Sequence, residues 1–356
     1  MKPKHIYWFS YFNTSEASVR YRALYPLQQL REEHGITGSF VFPSYRLRDI
    51  WVFISTFFEV FFFRKQDSLI VYQKIYTRGL YASALKLLLK VHPTYTMYDI
   101  DDAEYLRRPC ATIFHFMQNC ERINTGSLSL QQYCTPINGN SHVLTSPVIP
   151  HQVTKLKRSP LFTVGWIGYY GAHKESLLTL VFPALLDIDF PCRFILLGVQ
   201  RKEEQNEIIT YFKHKTNIEL HIPIDLNWHD ELSIYSHILE FDLGLSPLLD
   251  TEFNRSKSAF KLKQCLSCGI PVIASKTGEN KSFITPSLNG FLADSPEDFT
   301  KYILHVYQLQ DTDYINLCQN ARATYTQFSM EGYCDQLLDD YGNTAQTVMK
   351  KPQLVV

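Results

Sequence analysis

Short apolar runs alternate with longer amphipathic segments through most of the chain, and this alternation limits the possible folds more than any other feature. The runs at residues 5–10, 69–73 and 162–167 predict buried strands, and the segments between such runs have helical spacing of apolar residues. Regular alternation of strands and helices favours parallel sheets covered by helices on both faces. The sequence therefore predicts an α/β fold.

Two series of strand-helix units follow each other, and a polar stretch after Pro147 separates them. The 356 residues are enough for two domains of ordinary size. We predict a first domain over 1–150, a linker over 151–160 and a second domain over 161–325. Residues 326–356 are predicted as C-terminal helices and a tail that can pack back on the first domain. Two doubly wound domains of this kind are expected to face a central cleft that holds the site.

Composition excludes some classes of protein. Charged residues make up 20% of the chain and hydrophobic residues 45%, so it has enough apolar surface to fold throughout. The formal net charge is zero and no basic stripe is present, which argues against nucleic-acid binding. Residues 1–150 hold 16 basic and 11 acidic residues, and the remainder hold 19 and 24. The basic half is therefore expected to lie nearer a membrane or an acidic partner.

The cysteines favour a reducing compartment. All eight are scattered, and no secretory signal precedes the first predicted strand, so a cytoplasmic protein is expected. Cys265 and Cys268 form a C-x2-C pair, but neither a second pair nor a histidine cluster accompanies it. No metal site is predicted.

The segment 254–275 combines a helix with a buried strand. The helix is expected to begin at Ser256, a residue type that caps helices, and to end before Gly269. Within it, Lys257, Lys261 and Gln264 recur at i, i+4 and i+7 and would share one face.

Two ammonium groups near a helix N-terminus, with Arg255 just upstream, suit an anion such as a diphosphate. The alternative is a solvated lysine face without a ligand.

Two loops at the ends of predicted strands are further candidates. Gly168 and Tyr169 follow the strand at 162–167 and precede a helix that carries Lys174, so backbone N–H groups could meet a phosphate there. An ordinary glycine turn is the alternative. Gly278 opens a second loop, followed by Glu279 and Asn280, before a short helix.

Charged residues mark the first half as well. Asp99, Asp101 and Asp102 are expected just past a strand over 94–98, where open α/β sheets bind ligands. They could also bind Mg²⁺ or cap the next segment. Arg20 and Arg22 lie early in a predicted helix, which suggests either an external anionic partner or exposed arginines without a ligand.

An aromatic-rich run at residues 50–63 is flanked by basic residues within 46–65. It is shorter than the ~20 residues needed to span a bilayer and contains Glu59. The two interpretations are a helix that lies on a membrane surface and a core helix of a large sheet.

With these motifs in this order, the chain resembles the GT-B glycosyltransferases, and within them family 4, the retaining enzymes that build bacterial surface polysaccharides and glycolipids. The likeness is best over residues 162–294, in WIGYYGAHKE, SKSAFKLKQCLSCGIPVIAS and TGEN. It implies two Rossmann-like domains, the first on the acceptor side and the second binding a nucleotide sugar.

On this resemblance, Lys174 grips the donor diphosphate, Lys261 matches a lysine that many members carry in the signature helix, and Gln264 stands at the ribose-binding position. Glu279 and Asn280 match a loop that approaches the sugar and phosphates through its backbone.

Other positions depart from the family pattern. Tyr169 replaces the usual arginine of the glycine turn, and Ser256 stands near the first glutamate of the E-x7-E motif. Arg255 and Lys257 are hypothesised to restore the missing positive charge. The three aspartates fall near the His-Asp pair of many members, and which of them aligns with that pair is left open.

The resemblance implies transfer of a sugar from a nucleotide-diphosphate sugar to a saccharide or lipid-linked saccharide, with retention. It implies no cofactor beyond that donor substrate. The aromatic run with its basic flanks, residues 46–65, and the basic first half indicate contact with a membrane surface, expected at the inner face of the cell membrane. Two alternatives stay open because of the departures: a non-catalytic GT-B protein that binds a nucleotide or a partner chain, and a nucleotide-sugar 2-epimerase.

Overall fold

The computed structural model of the chain describes residues 2–76, 79–107, 111–149, 151–224 and 226–350, with side chains to residue 343. The chain divides into two compact units. The first contains Met1–Pro147, Ser256–Ser258 and Ser329–Val356, and the second contains Val148–Arg255 and Ala259–Phe328. The predicted tail, residues 351–356, lies outside the described residues.

The first unit is built on a six-stranded parallel sheet in the order β2-β1-β3-β4-β5-β6. Its strands are β1 (His5–Ser10), β2 (Thr37–Val41), β3 (Ser68–Gln73), β4 (Thr96–Ile100), β5 (Arg122–Thr125) and β6 (Ser141–Val143). Every residue of β1, β3, β4 and β5 is buried, as expected for parallel strands covered on both faces. The strand order reverses direction at β1 and β3, where such sheets open a crevice at the carboxyl ends of the strands.

Helices connect these strands. They are α1 (Ala17–Val19), α2 (Tyr25–His34), α3 (Leu47–Phe63), α4 (Gly79–Val91), α5 (Glu104–Arg107), α6 (Ala111–Asn119) and α7 (Leu128–Cys134), with a π-helical stretch, Arg20–Leu24, joining α1 to α2. Gly35 ends α2 in the left-handed conformation at φ 66°. Ser127 caps α7 by accepting a hydrogen bond from the Leu130 N–H.

The second unit has another six-stranded parallel sheet, in the order β12-β11-β10-β7-β8-β9. Its strands are β7 (Thr163–Ile167), β8 (Cys192–Leu197), β9 (Ile218–His221), β10 (Leu243–Ser246), β11 (Val272–Ser275) and β12 (Gly290–Ala293). By position in this unit, the order is 6-5-4-1-2-3, which is the Rossmann arrangement. Its switch point lies between β7 and β10, so the carboxyl ends of these strands are where a ligand is expected.

The helices of the second unit are α8 (Tyr170–Ser176), α9 (Phe182–Asp187), α10 (Lys202–Phe212), α11 (Glu231–Ile238), α12 (Glu252–Arg255), α13 (Phe260–Ser267), α14 (Asn280–Phe283), α15 (Pro296–Gln308) and α16 (Asp311–Ala323). A π-helical stretch, Leu177–Val181, makes α8 and α9 continuous. Ser295 caps α15, with Pro296 at its first position.

The last helix, α17 (Met330–Lys350), packs on the first unit. Tyr333 donates a hydrogen bond to the backbone oxygen of Arg22, and Arg122 forms an ion pair with Asp340. Leu337 and Tyr341 lie in the same apolar core as strands β1 and β3. The C-terminal helix therefore completes the first unit.

The strand predicted over 94–98 is displaced by two residues and runs Thr96–Ile100. This shift places Asp99 within β4, where its side chain is buried, instead of past the strand end. Asp101 and Asp102 do follow the strand.

The prediction that Ser256 caps a helix is wrong. The helix α13 begins at Phe260 after Ala259, which adopts a left-handed φ of 53°. Ser256 instead lies in an irregular stretch of the first unit, where its carbonyl accepts a hydrogen bond from the Ser127 hydroxyl. Lys257 is consequently not on the helix, and of the three residues predicted to share a face only Lys261 and Gln264 do so.

No helix among the described residues is long and apolar enough to cross a bilayer. The run predicted over 50–63 forms the 17-residue α3, which begins at Leu47.

His5 generates a prediction about stability. Its imidazole is buried between Thr37 and Ser39, at 2.6 Å and 3.0 Å from their hydroxyls, and burial, with nearby Lys65, lowers its pKa to about 4. The folded state therefore prefers neutral histidine, and this contribution is present above pH ~6.5 and is lost as the pH falls towards 4.

We expect the urea midpoint of the wild-type protein to exceed that of His5→Gln at pH 7.5, and this difference to shrink at pH 5. Titrations common to both proteins cancel in the comparison. A difference that stays constant across this range would contradict the assignment.

Candidate functional site

The switch point of the second sheet brings a lysine against a glycine. Gly168 follows β7 with φ +153°, and a Cβ at this position would overlap the ammonium end of Lys261. Lys261 lies in the first turn of α13, and its Nζ is 5.1 Å from the centre of the Trp166 ring. A side chain at position 168 would displace this ammonium, so glycine is required for the close approach. The arrangement places a positive charge where the strand order predicts a ligand.

A second glycine fixes the same turn. Gly198 follows β8 at φ +111°, and a Cβ there would overlap the carbonyl oxygen of Gly168. The Gly198 carbonyl accepts from Tyr170 N–H at 3.1 Å. That amide, at the start of α8, is therefore already bonded within the protein. Tyr169, which lies between Gly168 and Tyr170 in the sequence, is about half exposed.

Gln264 stands one turn after Lys261 on α13, and its side chain is buried. The spacing of three residues places both side chains on one side of the helix. A buried amide can both donate and accept hydrogen bonds, which suits it to a hydroxyl-bearing ligand.

The loop after β11 is tied to the sheet by Asn280. Its amide donates to the backbone oxygens of Ser246 and Ser275, at 3.3 Å and 3.1 Å, so its side chain joins the ends of β10 and β11. Gly278 has φ +54°, and a Cβ there would lie 2.5 Å from the Arg255 carbonyl oxygen. Glu279 is buried next to it. The backbone of this loop is held close to the carboxyl ends of the strands.

Two of the predicted cations form surface ion pairs. Lys174 lies inside α8, and its ammonium is 2.7 Å from Glu207. Arg255 makes a two-pronged contact with Asp250, at 2.6 Å and 2.8 Å. A phosphate at either cation would compete with the carboxylate for it.

In the first unit, Asp99 is paired with Arg22. The guanidinium donates Nε–H and Nη2–H to the two carboxylate oxygens at 2.9 Å and 2.6 Å. Burial is the largest influence and would lower the pKa of Arg22, but the charge and hydrogen bonds of Asp99, together with Tyr333 and Asp101, raise it overall. The prediction of an external anionic partner for Arg22 is wrong, because both side chains are buried and joined to each other.

Asp101 and Asp102 share the buried ammonium of Lys74, whose Nζ is 2.5 Å from one carboxylate and 3.0 Å from the other. Burial would lower the pKa of Lys74, yet the two charges raise it. Burial would likewise raise the pKa of Asp102, and Lys74, followed by Lys257 at 3.8 Å, lowers it. About a quarter of the Asp102 side chain remains exposed. Both ends of the Lys74–Asp102 pair are therefore held charged.

Aromatic rings surround this charge cluster. The Tyr76 ring contacts those of Tyr11 and Phe12, with centres 4.5 Å and 5.9 Å away, and Lys74 Nζ lies 5.9 Å from the centre of the Phe12 ring. The buried Tyr76 hydroxyl has no hydrogen-bond partner among the described residues. Lys74 and Tyr76 were not among the predicted site residues, and the position of residue 74 directly after a buried strand was the available signal.

No cluster of three or more metal-ligating side chains is found in the described parts of the chain. Cys265 and Cys268 are buried free thiols, and burial raises the pKa of Cys268 to about 12. A thiol in this state is a poor metal ligand.

Solved structures of the same architecture cover nearly the whole chain. Anabaena HepE in complex with UDP gives a TM-score of 0.66 at 12% identity, over 95% of this chain and 100% of HepE. A glycosyltransferase from Rickettsia africae gives 0.67 at 14% identity, over 96% and 99%. The chain has the GT-B fold. Sucrose-phosphate synthase from Thermosynechococcus elongatus, at 0.69 and 12% identity over 97% and 99%, shares this GT-B architecture.

Sequence similarity to known proteins covers less of the chain than the structural similarity does. No protein-family model matches the chain. Among curated proteins, the GDP-Man:Man(3)GlcNAc(2)-PP-Dol alpha-1,2-mannosyltransferase of Xenopus laevis is 25% identical over 190 residues. These residues are 50% of this chain and only 37% of that relative.

Lys74 should be necessary for stability. We expect Lys74→Met to lower the free energy of unfolding by about 3 kcal/mol or more, because it leaves the buried carboxylate of Asp101 and the partly buried one of Asp102 without their cation. The control is Lys4→Met, which removes an exposed partner of Asp67 and should cost less than about 1 kcal/mol. Urea unfolding of both variants measures the difference. Equal stability of the two would contradict the structural account of this cluster.

Proposed function

We propose that the chain is a glycosyltransferase whose second unit binds a nucleotide-diphosphate sugar. The observation that carries the proposal is the ammonium of Lys261 seated against Gly168 at the switch point of the second sheet. The GT-B neighbours include HepE, solved in complex with UDP and with UDP-glucose, which supports a nucleoside diphosphate at this place.

In the proposed reaction, the bond between the anomeric carbon and the diphosphate oxygen breaks, and the nucleoside diphosphate leaves with the bonding electrons. The acceptor hydroxyl forms the new glycosidic bond and gives its proton to an oxygen of the departing diphosphate. Negative charge grows on the leaving diphosphate, so a cation fixed beforehand at that place lowers the barrier. Lys261 has this role in the proposal.

Other residues support the donor in defined ways. Gln264 hydrogen-bonds the ribose hydroxyls, and the backbone at Gly278, Glu279 and Asn280 approaches the sugar and phosphates. Lys174 and Arg255 contribute positive charge if the phosphates displace Glu207 and Asp250 from them.

The acceptor is proposed to bind the first unit beside Asp102. The partly exposed carboxylate of Asp102 is held ionised by Lys74. The Phe12 ring lies next to Lys74, and the Tyr76 ring contacts the rings of Phe12 and Tyr11. Carboxylates that accept hydrogen bonds from hydroxyls, next to aromatic rings, fit a saccharide. Asp101 helps to hold Lys74, and Asp99 holds Arg22, so both act through other residues.

The finer features of the proposal rest on the family resemblance. They are membership of family 4, retention at the anomeric carbon, transfer of a hexose and a saccharide or lipid-linked acceptor for surface polysaccharide or glycolipid. No cofactor is proposed beyond the donor substrate, and the proposed location is the cytoplasm.

The donor site is tested by calorimetric titration of the protein with UDP, GDP and their sugar conjugates. We expect one nucleoside diphosphate to bind, and Lys261→Ala to weaken that binding at least about tenfold, or ~1.4 kcal/mol. The control is Lys301→Ala, an exposed lysine of α15, which should bind like the wild type. Binding of no nucleotide by a folded protein, or equal binding by the two variants, would overturn the proposal.

Turnover separates the catalytic alternatives. Donor consumption that rises when acceptor is added supports transfer. Nucleotide binding without turnover would identify a binding protein, and release of the 2-epimeric sugar would identify an epimerase.

A further inference from the structure

The helix α3 exposes an apolar stripe. Trp51, Ile54, Phe58 and Phe62 recur at i, i+3, i+7 and i+11, so they share one face, and their exposed fractions are 70%, 36%, 51% and 61%. Phe58 and Phe62 stack on each other with ring centres 6.0 Å apart. These exposed fractions mean that the described residues leave the stripe largely uncovered.

The opposite side of α3 accounts for its attachment to the unit. Thr56 and Val60 are buried there, and Phe53 packs against Tyr81 of α4 with ring centres 5.0 Å apart. The apolar residues on the exposed side are therefore not needed to hold the helix in place.

The neighbouring helix α4 continues the apolar surface. Phe53 of α3 meets the start of α4 at Tyr81, and His92, just past the end of α4, lies 3.2 Å from the Phe61 carbonyl oxygen, so the two helices run side by side in one direction. On α4, a second stripe at i, i+7 and i+11 is exposed at 90%, 44% and 43%: Leu80, Leu87 and Val91. We call these two stripes the α3–α4 surface.

The charges around the α3–α4 surface are positive. Arg46 and Arg48 are exposed at the start of α3, and α4 carries Lys86 and Lys90 without any acidic residue. The acids of α3 are engaged elsewhere: Asp49 accepts from the Ser44 hydroxyl, and Glu59 accepts from Tyr7 and pairs with Lys65. A partner that covers the surface must therefore combine apolar and anionic groups.

We propose that the α3–α4 surface binds an anionic phospholipid bilayer, with α3 lying in the interface. The apolar stripes would enter the boundary of the acyl chains, and the arginines and lysines would meet the phosphates. At 17 residues, α3 is too short to span the bilayer, which needs ~20. A second copy of the chain is disfavoured because it would bring two sets of these cations together. The proposal does not depend on the donor site.

The test is co-sedimentation of the full chain with phosphatidylcholine vesicles, with and without phosphatidylglycerol. We expect binding to the vesicles that contain phosphatidylglycerol and a blue shift of tryptophan emission from Trp51. Phe58→Ser/Phe62→Ser should weaken the binding at least about tenfold, because each substitution removes apolar area that would be buried in the bilayer. Arg46→Gln/Arg48→Gln should weaken it and reduce its salt dependence.

Two controls make the result specific. Leu232→Ser removes an apolar side chain of α11 that is more exposed than either phenylalanine, and this variant should bind vesicles like the wild type. Nucleotide titration of Phe58→Ser/Phe62→Ser should match the wild type, which keeps this test separate from the donor proposal.

Three outcomes would overturn the proposal: no vesicle binding, equal binding to neutral and anionic vesicles, or a wild-type dimer in sedimentation that Phe58→Ser/Phe62→Ser converts to a monomer. The last would assign the surface to a second copy of the chain.

Discussion

Each sheet of this protein is parallel, and this constrains where polar chemistry can lie. Parallel strands are covered by helices on both faces, so their side chains are almost all buried and polar groups collect at the strand ends. The reversal of strand order then selects one place along each edge, at β1 and β3 in the first unit and at β7 and β10 in the second. Lys74 and Asp101 lie near the first place, and Gly168 and Lys261 lie at the second. The candidate residues are therefore consequences of the topology.

Charge in the molecule is used in two different ways. Arg22 with Asp99 and Lys74 with Asp101 are buried pairs in which each partner compensates the desolvation of the other, so they fix local structure. Lys261 lies elsewhere, with its ammonium against Gly168 and 5.1 Å from the centre of the Trp166 ring, at the switch point of the second sheet. Lys174 and Arg255 form surface ion pairs with Glu207 and Asp250, which a diphosphate would have to displace. Because of its place at the switch point, we propose Lys261 as the first of the donor-binding cations.

The sequence predicted the α/β class and most strands to within two residues, because apolar runs and glycine stops are local signals. It could not predict contacts between distant residues. Arg22 and Asp99 are 77 positions apart, so their pairing looked like two separate ligand sites. Ser256 had the chemistry of a helix cap, but its carbonyl bonds Ser127 and the helix begins later. Sequence pattern and family resemblance identified Gly168 and Lys261 as candidates. Their contact could be seen only in the three-dimensional fold. Lys74 was missed because its position directly after a buried strand is a weak signal when no other motif accompanies it.

The most direct measurement of the central claim is nucleotide binding by Gly168→Ala. The added methyl group would occupy the space of the Lys261 ammonium, so the account predicts at least about tenfold weaker binding of the nucleoside diphosphate. Binding of the nucleoside without phosphates should change less, because the cation meets the phosphates. Gly139→Ala, where a Cβ meets nothing within 4 Å, should leave both affinities unchanged. Wild-type affinity of Gly168→Ala for the diphosphate would contradict the account.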